Sequence, residues 1–235
     1  MSLAQRELHE IELDGQALPV RVRRSARAAR LSLRVGLKGD ELVLVLPPGV
    51  KLEHGLRFCR QQQDWIRRRL SSLSPQVPFA PGASLPLLGQ DHVLRHAPEA
   101  RRGVWAEGGE IFVSGGIEHF PRRVGDWLRR QARTEIVARA YPMAAEIGKR
   151  IASLSLRDTT SRWGSCTARG DLAFSWRLVL APEKVLTYVV AHEVAHLAEM
   201  NHSPRFWSVV DTLCPHAVES RAWLKRHGTS LHRFG

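Results

Sequence analysis

One stretch, His192-Glu193-Val194-Ala195-His196-Leu197-Ala198-Glu199-Met200-Asn201-His202, constrains this chain more than any other, because its chemistry requires a helix that ends in a corner. On a helix, residues four apart stack on one face with Cβ atoms about 5–6 Å apart, so His192 and His196 can close on a single ion. Zinc takes imidazole nitrogens at roughly 2.0–2.1 Å. Glu193 sits about 100° around the axis, which keeps its carboxylate off the ion but close enough to act as general base toward a water bound there. His202 supplies a third ligand, and the fourth tetrahedral position is left for water, the arrangement of a catalytic zinc. Glu199 shares the face of the histidine pair but lies farther along the axis, so it is expected to support the ligands rather than bind.

The flanking residues set the expected ends of that helix. Pro182 suits its first turn, and Val185, Tyr188, Val189 and Val190 give it an apolar face. Asn201 tolerates the left-handed conformation of a helix C-terminus, and Ser203-Pro204 reads as an N-cap followed by proline at the first position of a new helix. Tyr188, one turn before His192, could donate a hydrogen bond toward the site or simply pack. His216, His227 and His232 read as surface or core histidines.

Upstream, Leu154 to Arg157 reads as a short strand, Ser161 to Cys166 as an irregular strand or loop, and Asp171 to Leu180 as another strand leading into the ligand helix. An edge strand beside a zinc cleft can bind extended peptide through its main chain. Arg162 and Arg177 could steady an anionic group or a developing oxyanion, or make structural hydrogen bonds, with Trp163 and Trp176 packed in the core.

The remaining sequence gives an α+β plan in two parts, 1–80 and 81–235. Residues from Leu8 to Val50 alternate as a β-meander, with Leu37-Lys38-Gly39-Asp40 as a turn, and Leu52 to Leu73 reads as one amphipathic helix. Ser71 to Pro81 is the linker candidate. Hairpins follow around Leu85 to His96 and Val104 to Val113, the latter turning at Glu107-Gly108-Gly109, and then a helix from Pro121 to about Ile151 that Pro142 should kink or break. No internal repeat stands out. Cys59, Cys166 and Cys214 are widely spaced and in no CxxC pair, which argues for buried thiols in a reducing, cytoplasmic setting. Met1 to Glu10 lacks the apolar core of a signal peptide, and no stretch approaches a membrane span. The formal charge of +12 rests on arginine runs such as Arg21 to Arg34, Arg67-Arg68-Arg69 and Arg122 to Arg133. These are either solvated surface or a weak nucleic-acid footprint; Trp65 and Trp127 beside them fall at core spacings.

Arg162-Trp163-Gly164-Ser165-Cys166, Trp176-Arg177-Leu178, His192-Glu193-Val194-Ala195-His196 and Asn201-His202-Ser203-Pro204-Arg205-Phe206-Trp207 together resemble the YgjP-like metallopeptidase family, related to the WLM and SprT-like proteases. The resemblance is close over the C-terminal half and looser over the β-rich N-terminal half, around Asp64-Trp65-Ile66-Arg67. It implies a compact zincin-like core behind a β-rich region, with His192, His196 and His202 as zinc ligands and Glu193 as general base. Ser175 stands where asparagine is expected. The function expected is hydrolysis of a peptide or protein substrate by zinc-activated water. Two alternatives use the same site: a nucleotide pyrophosphohydrolase, an activity also associated with YgjP-like proteins, or a DNA-associated protease or zinc-stabilised binding module. No phosphate-cradling GxxxxGKS loop is present.

Overall fold

The computed structural model describes residues 7–36, 39–71, 73 and 75–235. Leu37-Lys38 of the expected turn, and Ser72 and Ser74 of the expected linker, lie outside them. The chain divides into two compact units, the described residues up to Pro75 and Gln76–Gly235. The fold is mixed α+β, with three sheets and six α-helices among the described residues.

In the first unit, β1 (Glu7–Leu13), β2 (Gln16–Arg24), β3 (Ser32–Val35) and β4 (Leu42–Leu46) form a sheet of order β1-β2-β4-β3. It is not the expected meander. β4 inserts between β2 and β3, running parallel to β2 and antiparallel to β3. This follows from burial: β4 is Leu-Val-Leu-Val-Leu, buried at four of its five positions, and an apolar strand belongs in the middle of a sheet rather than at its edge. The single helix expected over Leu52 to Leu73 is two, α1 (Leu52–Gln61) and α2 (Gln63–Ser71). They are interrupted at Gln62, whose N–H bonds the Cys59 carbonyl three residues back.

In the second unit, β5 (Ser84–Leu87), β6 (Gln90–His96), β7 (Val104–Glu107) and β8 (Glu110–Val113) take the same order, β5-β6-β8-β7, with β6 and β8 parallel. The two sheets repeat one plan, which the sequence analysis missed. Leu13-Asp14-Gly15-Gln16 turns the first hairpin and Leu87-Leu88-Gly89-Gln90 its counterpart, and both residues before the glycines, Asp14 and Leu88, have positive φ. Six residues after each glycine an arginine reaches across to a glutamate at the start of the parallel partner, Arg21 to Glu41 just before β4 at 2.6 Å and Arg95 to Glu110, the first residue of β8, at 2.6 Å. Asp64-Trp65-Ile66-Arg67-Arg68 on α2 recurs as Asp126-Trp127-Leu128-Arg129-Arg130 on α3 (Phe120–Glu146), with Ile66 and Leu128 both fully buried and an Asp–Arg i,i+3 pair in each copy. Sequence identity is confined to these short blocks, separated by unequal loops, so a scan at fixed period passes over them. Trp127 is buried as expected, whereas Trp65 is 37% exposed.

α3 runs unbroken through Pro142 and stops at Glu146, not near Ile151. The proline costs only the bond its N–H would have made to the Ala138 carbonyl, and α3 is anchored along its length by Phe120, Val124, Leu128, Ile136, Ala140 and Ala144. It spans both cores of this unit, one against β5–β8 and the other around the ligand helix. The third sheet, β10-β11-β9, comprises β9 (Ser153–Arg157), β10 (Gly164–Cys166) and β11 (Asp171–Ser175). β11 is shorter than expected: Trp176–Leu180 is a fully buried 3-10 segment, begun where the Ser175 hydroxyl accepts a bond from the Arg177 N–H. Asparagine could accept the same bond. α4 (Glu183–Ala195), α5 (Pro204–Leu213) and α6 (Ala217–His227) complete the unit. Among the described residues no helix is long and apolar enough to cross a membrane.

Candidate metal centre

α4 is apolar nearly all round rather than amphipathic, with Val185, Leu186, Tyr188, Val189, Val190, Ala191, Val194 and Ala195 all buried. A helix of that kind belongs inside a core, and here it packs against α3, α5, α6 and β10. Its start is held by the β5–β6 hairpin. The Leu88 N–H bonds the Val179 carbonyl, and Gly89, at φ +83°, lies so close to Pro182 that a Cβ there would sit 2.9 Å from the proline Cα.

The helix ends earlier than the sequence suggests. Ala195 is its last residue and His196 caps it in αR geometry, after which Leu197 and Ala198 bond back three residues in tightening turns. Asn201 does not take the left-handed conformation; its side-chain oxygen instead accepts a bond from the Ser203 N–H. Ser203 and Pro204 start α5 as expected, the serine hydroxyl accepting from the Phe206 N–H at 3.3 Å. The chain thereby turns back and brings His202 to the pair on α4.

His192, His196 and His202 converge. Their candidate ligand nitrogens all lie within 4.8 Å of one another, and Nε2 of His202 faces Nε2 of His192 at 3.1 Å. Two nitrogens sharing a tetrahedral zinc stand about 3.3 Å apart, given bonds near 2.05 Å. His196 Nδ1 is 3.0 Å from the Glu199 carbonyl oxygen; donating there fixes the tautomer that leaves Nε2 free for a metal. Glu199 thus supports the site through its main chain, not its carboxylate. Burial holds the His192 pKa down at about 4, helped by His196, His202 and Arg221, and burial also lowers that of His196. Both are therefore neutral at physiological pH, the state that binds metal. His192 Nδ1 is buried without a hydrogen-bond partner. The donor set, three imidazoles with one side open, fits a catalytic zinc.

Beneath the histidines lies an aromatic floor that sequence reasoning left unassigned. Fully buried Phe206 packs against all three imidazoles at centroid distances of 4.9, 4.5 and 4.8 Å, and Trp207 lies 5.9 Å from His192 and from His202. The i,i+3 spacing from Ser203 to Phe206 was the available signal. Tyr188 is buried with its ring 5.9 Å from His192.

Glu193 is 6% exposed, and burial raises its carboxyl pKa to about 7 against the lowering influence of Arg162. A base with that pKa is matched to neutral-pH proton transfer. Gly164 on the edge strand β10 explains its position: a Cβ there would fall 2.6 Å from Glu193 Oε1 and 2.7 Å from Cδ, so the carboxylate occupies the space a side chain would fill. Arg162 is exposed just before that strand.

Arg177 is engaged elsewhere. Its buried guanidinium donates to Asp158 at 2.7 and 3.3 Å and to the carbonyls of Leu231 and Phe234 at 3.3 and 2.6 Å, while stacking on Trp176. That pairing, opposed by partial burial, holds the Asp158 carboxyl below its usual range. Trp163 is half-buried, with its ring tilted by 30° against His232 at a centroid distance of 5.1 Å and close to Gly228. Neither side chain is placed beside the three histidines. Cys59 and Cys214 are buried as expected, but Cys166 is half-buried; burial pushes the thiols of Cys59 and Cys166 up to about 11, so neither is a ready nucleophile.

A family model described as YgjP-like, metallopeptidase domain, matches residues 29–227. The chain belongs to the YgjP-like family. No curated protein and no solved structure matches it. The family match begins within the first sheet and covers the second unit through α6, so it takes in the repeated β-sheet plan as well as the histidine cluster.

Proposed function

We propose that this YgjP-like chain is a zinc-dependent peptidase with a zincin-like core, working in the cytoplasm. The observation that carries the reading is the convergence of three imidazoles on the unit that also holds a buried carboxylate with a pKa of about 7. Zinc held by His192, His196 and His202 would supply Lewis acidity to a water and to the scissile carbonyl. Glu193 accepts the proton of the attacking water and returns it to the leaving amine. Gly164 leaves that carboxylate room, and desolvation keeps it basic enough for the first transfer and acidic enough for the second. β10 pairs with β11 on one side and is the edge of its sheet on the other, so an extended substrate can add along it through main-chain bonds. Arg177 and Trp163 act as structural residues that hold the C-terminal segment Leu231 to Phe234 and His232. The test is Glu193→Gln: the variant retains one zinc per chain and loses cleavage of a casein or peptide-library substrate. Failure of the zinc-loaded wild type to cleave any peptide overturns the reading.

A second reading, hydrolysis of a nucleoside triphosphate, draws on a different observation. A concavity of about 630 Å³, in the size range of ligand pockets, is lined by Arg157, Arg162, Gly164 and several serine and threonine hydroxyls. It predicts release of pyrophosphate or phosphate from nucleoside triphosphates that vanishes in Glu193→Gln; absence of such release in the wild type overturns it.

A further inference from the structure

A smaller concavity, about 190 Å³, opens directly on the metal ligand His196. Three cations line it: Lys149 and Arg150, which follow α3, and Arg169 in the turn between β10 and β11. None of the three forms a direct ion pair with a described residue, whereas Arg67, Arg139 and Arg177 are all paired; Arg169 lies near enough to Asp171 for its charge to help hold that carboxyl below its usual range. The cations are exposed, but the backbone that presents them is fixed. The Ala152 N–H bonds the Gly170 carbonyl at 2.9 Å, tying the start of β9 to the turn, and the turn is closed by Gly170 N–H to Thr167 and Thr167 N–H to Asp171. The Asp171 carboxylate accepts the hydroxyls of Ser153 and Thr167, at 2.7 and 3.0 Å. Leu197 and the exposed Met200 add apolar surface to the same lining.

We infer that this concavity is a specificity subsite for an acidic side chain, glutamate foremost, beside the scissile bond of the peptide substrate; the assignment rests on the peptidase reading. Size argues for a side chain. At about 30 Å³ per water the space holds roughly six waters, below the ~300 Å³ at which small-molecule pockets begin, so a whole nucleotide does not fit. Chemistry argues for glutamate. Its methylenes match Leu197 and Met200 while its carboxylate reaches the cations, and a charge-assisted bond to arginine is stronger than the neutral bond glutamine would make. Topology puts the subsite in register with substrate, because the turn carrying Arg169 continues the edge strand β10 along which a peptide would pair. Acidic and neutral peptides would then be sorted by a pair of exposed arginines and a lysine rather than by an apolar pocket.

The experiment has two arms. In the first, zinc-loaded protein is given peptides in which glutamate or glutamine is scanned through the positions on either side of a cleavable bond. In the second, the same peptides are bound to metal-free Glu193→Gln protein, followed by fluorescence anisotropy at about 0.05 M and about 0.5 M salt. The expected result is a preference for glutamate at one position, about fivefold to tenfold in kcat/KM and in low-salt binding. That preference collapses at high salt and in Arg150→Gln/Arg169→Gln, and is restored by Arg150→Lys/Arg169→Lys. Equal handling of the two peptides by the wild type, or a preference that survives in the glutamine double variant, overturns the subsite. A binding preference that behaves as expected without cleavage of any peptide supports the subsite and overturns the peptidase reading alone.

Discussion

The glycine at position 164 offers the most direct test of how the site is built, through Gly164→Ala. Its φ is not in the left-handed region, so alanine suits the backbone and by itself would stabilise by about 0.4–1 kcal/mol through the unfolded chain. Everything adverse comes from Glu193. The new methyl would press closest on Glu193 Cγ and would lie 2.7 Å from Cδ, where carbon atoms rest at about 3.5–4.0 Å. The carboxylate must therefore move by roughly 1 Å, and in a buried site it has little space to do so. A misplacement of about 1 Å in a catalytic group costs on the order of 100-fold in rate, while overpacking costs about 1–3 kcal/mol of stability, partly offset by the backbone gain. The three histidines are untouched, so their capacity to hold a metal should be unchanged.

Gly164→Ala should accordingly cut kcat about 100-fold at unchanged zinc stoichiometry, with a net destabilisation of about 2 kcal/mol or less. The checks are peptide hydrolysis, metal content and chemical denaturation on one preparation. A double variant separates sterics from other causes. Glu193→Ala removes Cγ, Cδ and both carboxylate oxygens, so combining it with Gly164→Ala should recover the stability lost to overpacking without recovering activity, a coupling that a double-mutant cycle resolves. Wild-type activity in zinc-loaded Gly164→Ala, or additive stabilities in the cycle, would refute the claim that the glycine exists to house Glu193.

Three further outcomes follow from the same geometry. In metal-free protein, Glu193 has a folded pKa raised from 4.5 to about 7, so its contribution to stability is full below pH 4.5 and declines as pH rises to 7, by about 3 kcal/mol in all. His192 is lowered from 6.5 to about 4, so its contribution is full above pH 6.5 and is lost as pH falls toward 4. The two slopes oppose between 4.5 and 6.5; urea denaturation of metal-free Glu193→Gln should expose the falling acid limb, and a profile identical to wild type would sink the assignment. Arg177→Ala leaves Asp158 and two C-terminal carbonyls without their donor and should cost about 3 kcal/mol, with faster amide exchange over 228–235; unchanged exchange there would place the tail's anchor elsewhere. Ser203→Ala removes the cap of α5, worth about 1 kcal/mol, and loosens Phe206 beneath the imidazoles. Chelator competition should show zinc held about tenfold more weakly, and an unaltered affinity would show that the floor does not set the ligands.

The clustering of the three histidines was legible in the sequence because its information is local. His192, His196, His202 and the Ser203-Pro204 cap lie within thirteen residues, and helix geometry alone brings them together. What escaped depends on contacts between distant segments. The glutamates that fix the two repeated sheets lie 20 and 15 residues from their arginines, and nothing local tells a meander from an inserted central strand. Arg177 has the same limitation: a buried arginine next to tryptophan looks alike whether it faces substrate or, as here, a carboxylate 19 residues before it and carbonyls more than fifty residues after it. Asn201 failed for the opposite reason. A residue that tolerates the left-handed conformation is not compelled to adopt it, and the tightening turns after His196 had already ended the helix.

Gly164 shows how a distant contact can still leave a local trace. Within Arg162-Trp163-Gly164-Ser165-Cys166 it reads as one small residue in an irregular strand, and its purpose appears only when Glu193 of α4 is set against it. In the second repeat Gly89 has the corresponding office at the other end of α4, where Pro182 takes the place of the carboxylate. The ligand helix is thus admitted at its start and near its end by residues with no side chain, one in a hairpin of the repeated sheet and one on the edge strand of the third. Close approach at these two glycines lets α4 lie tight against the β5–β6 hairpin at its start and against β10 near its end. Alanine at Gly89, where positive φ adds strain to the contact with Pro182, should therefore disturb all four site residues together, whereas alanine at Gly164 should disturb Glu193 alone.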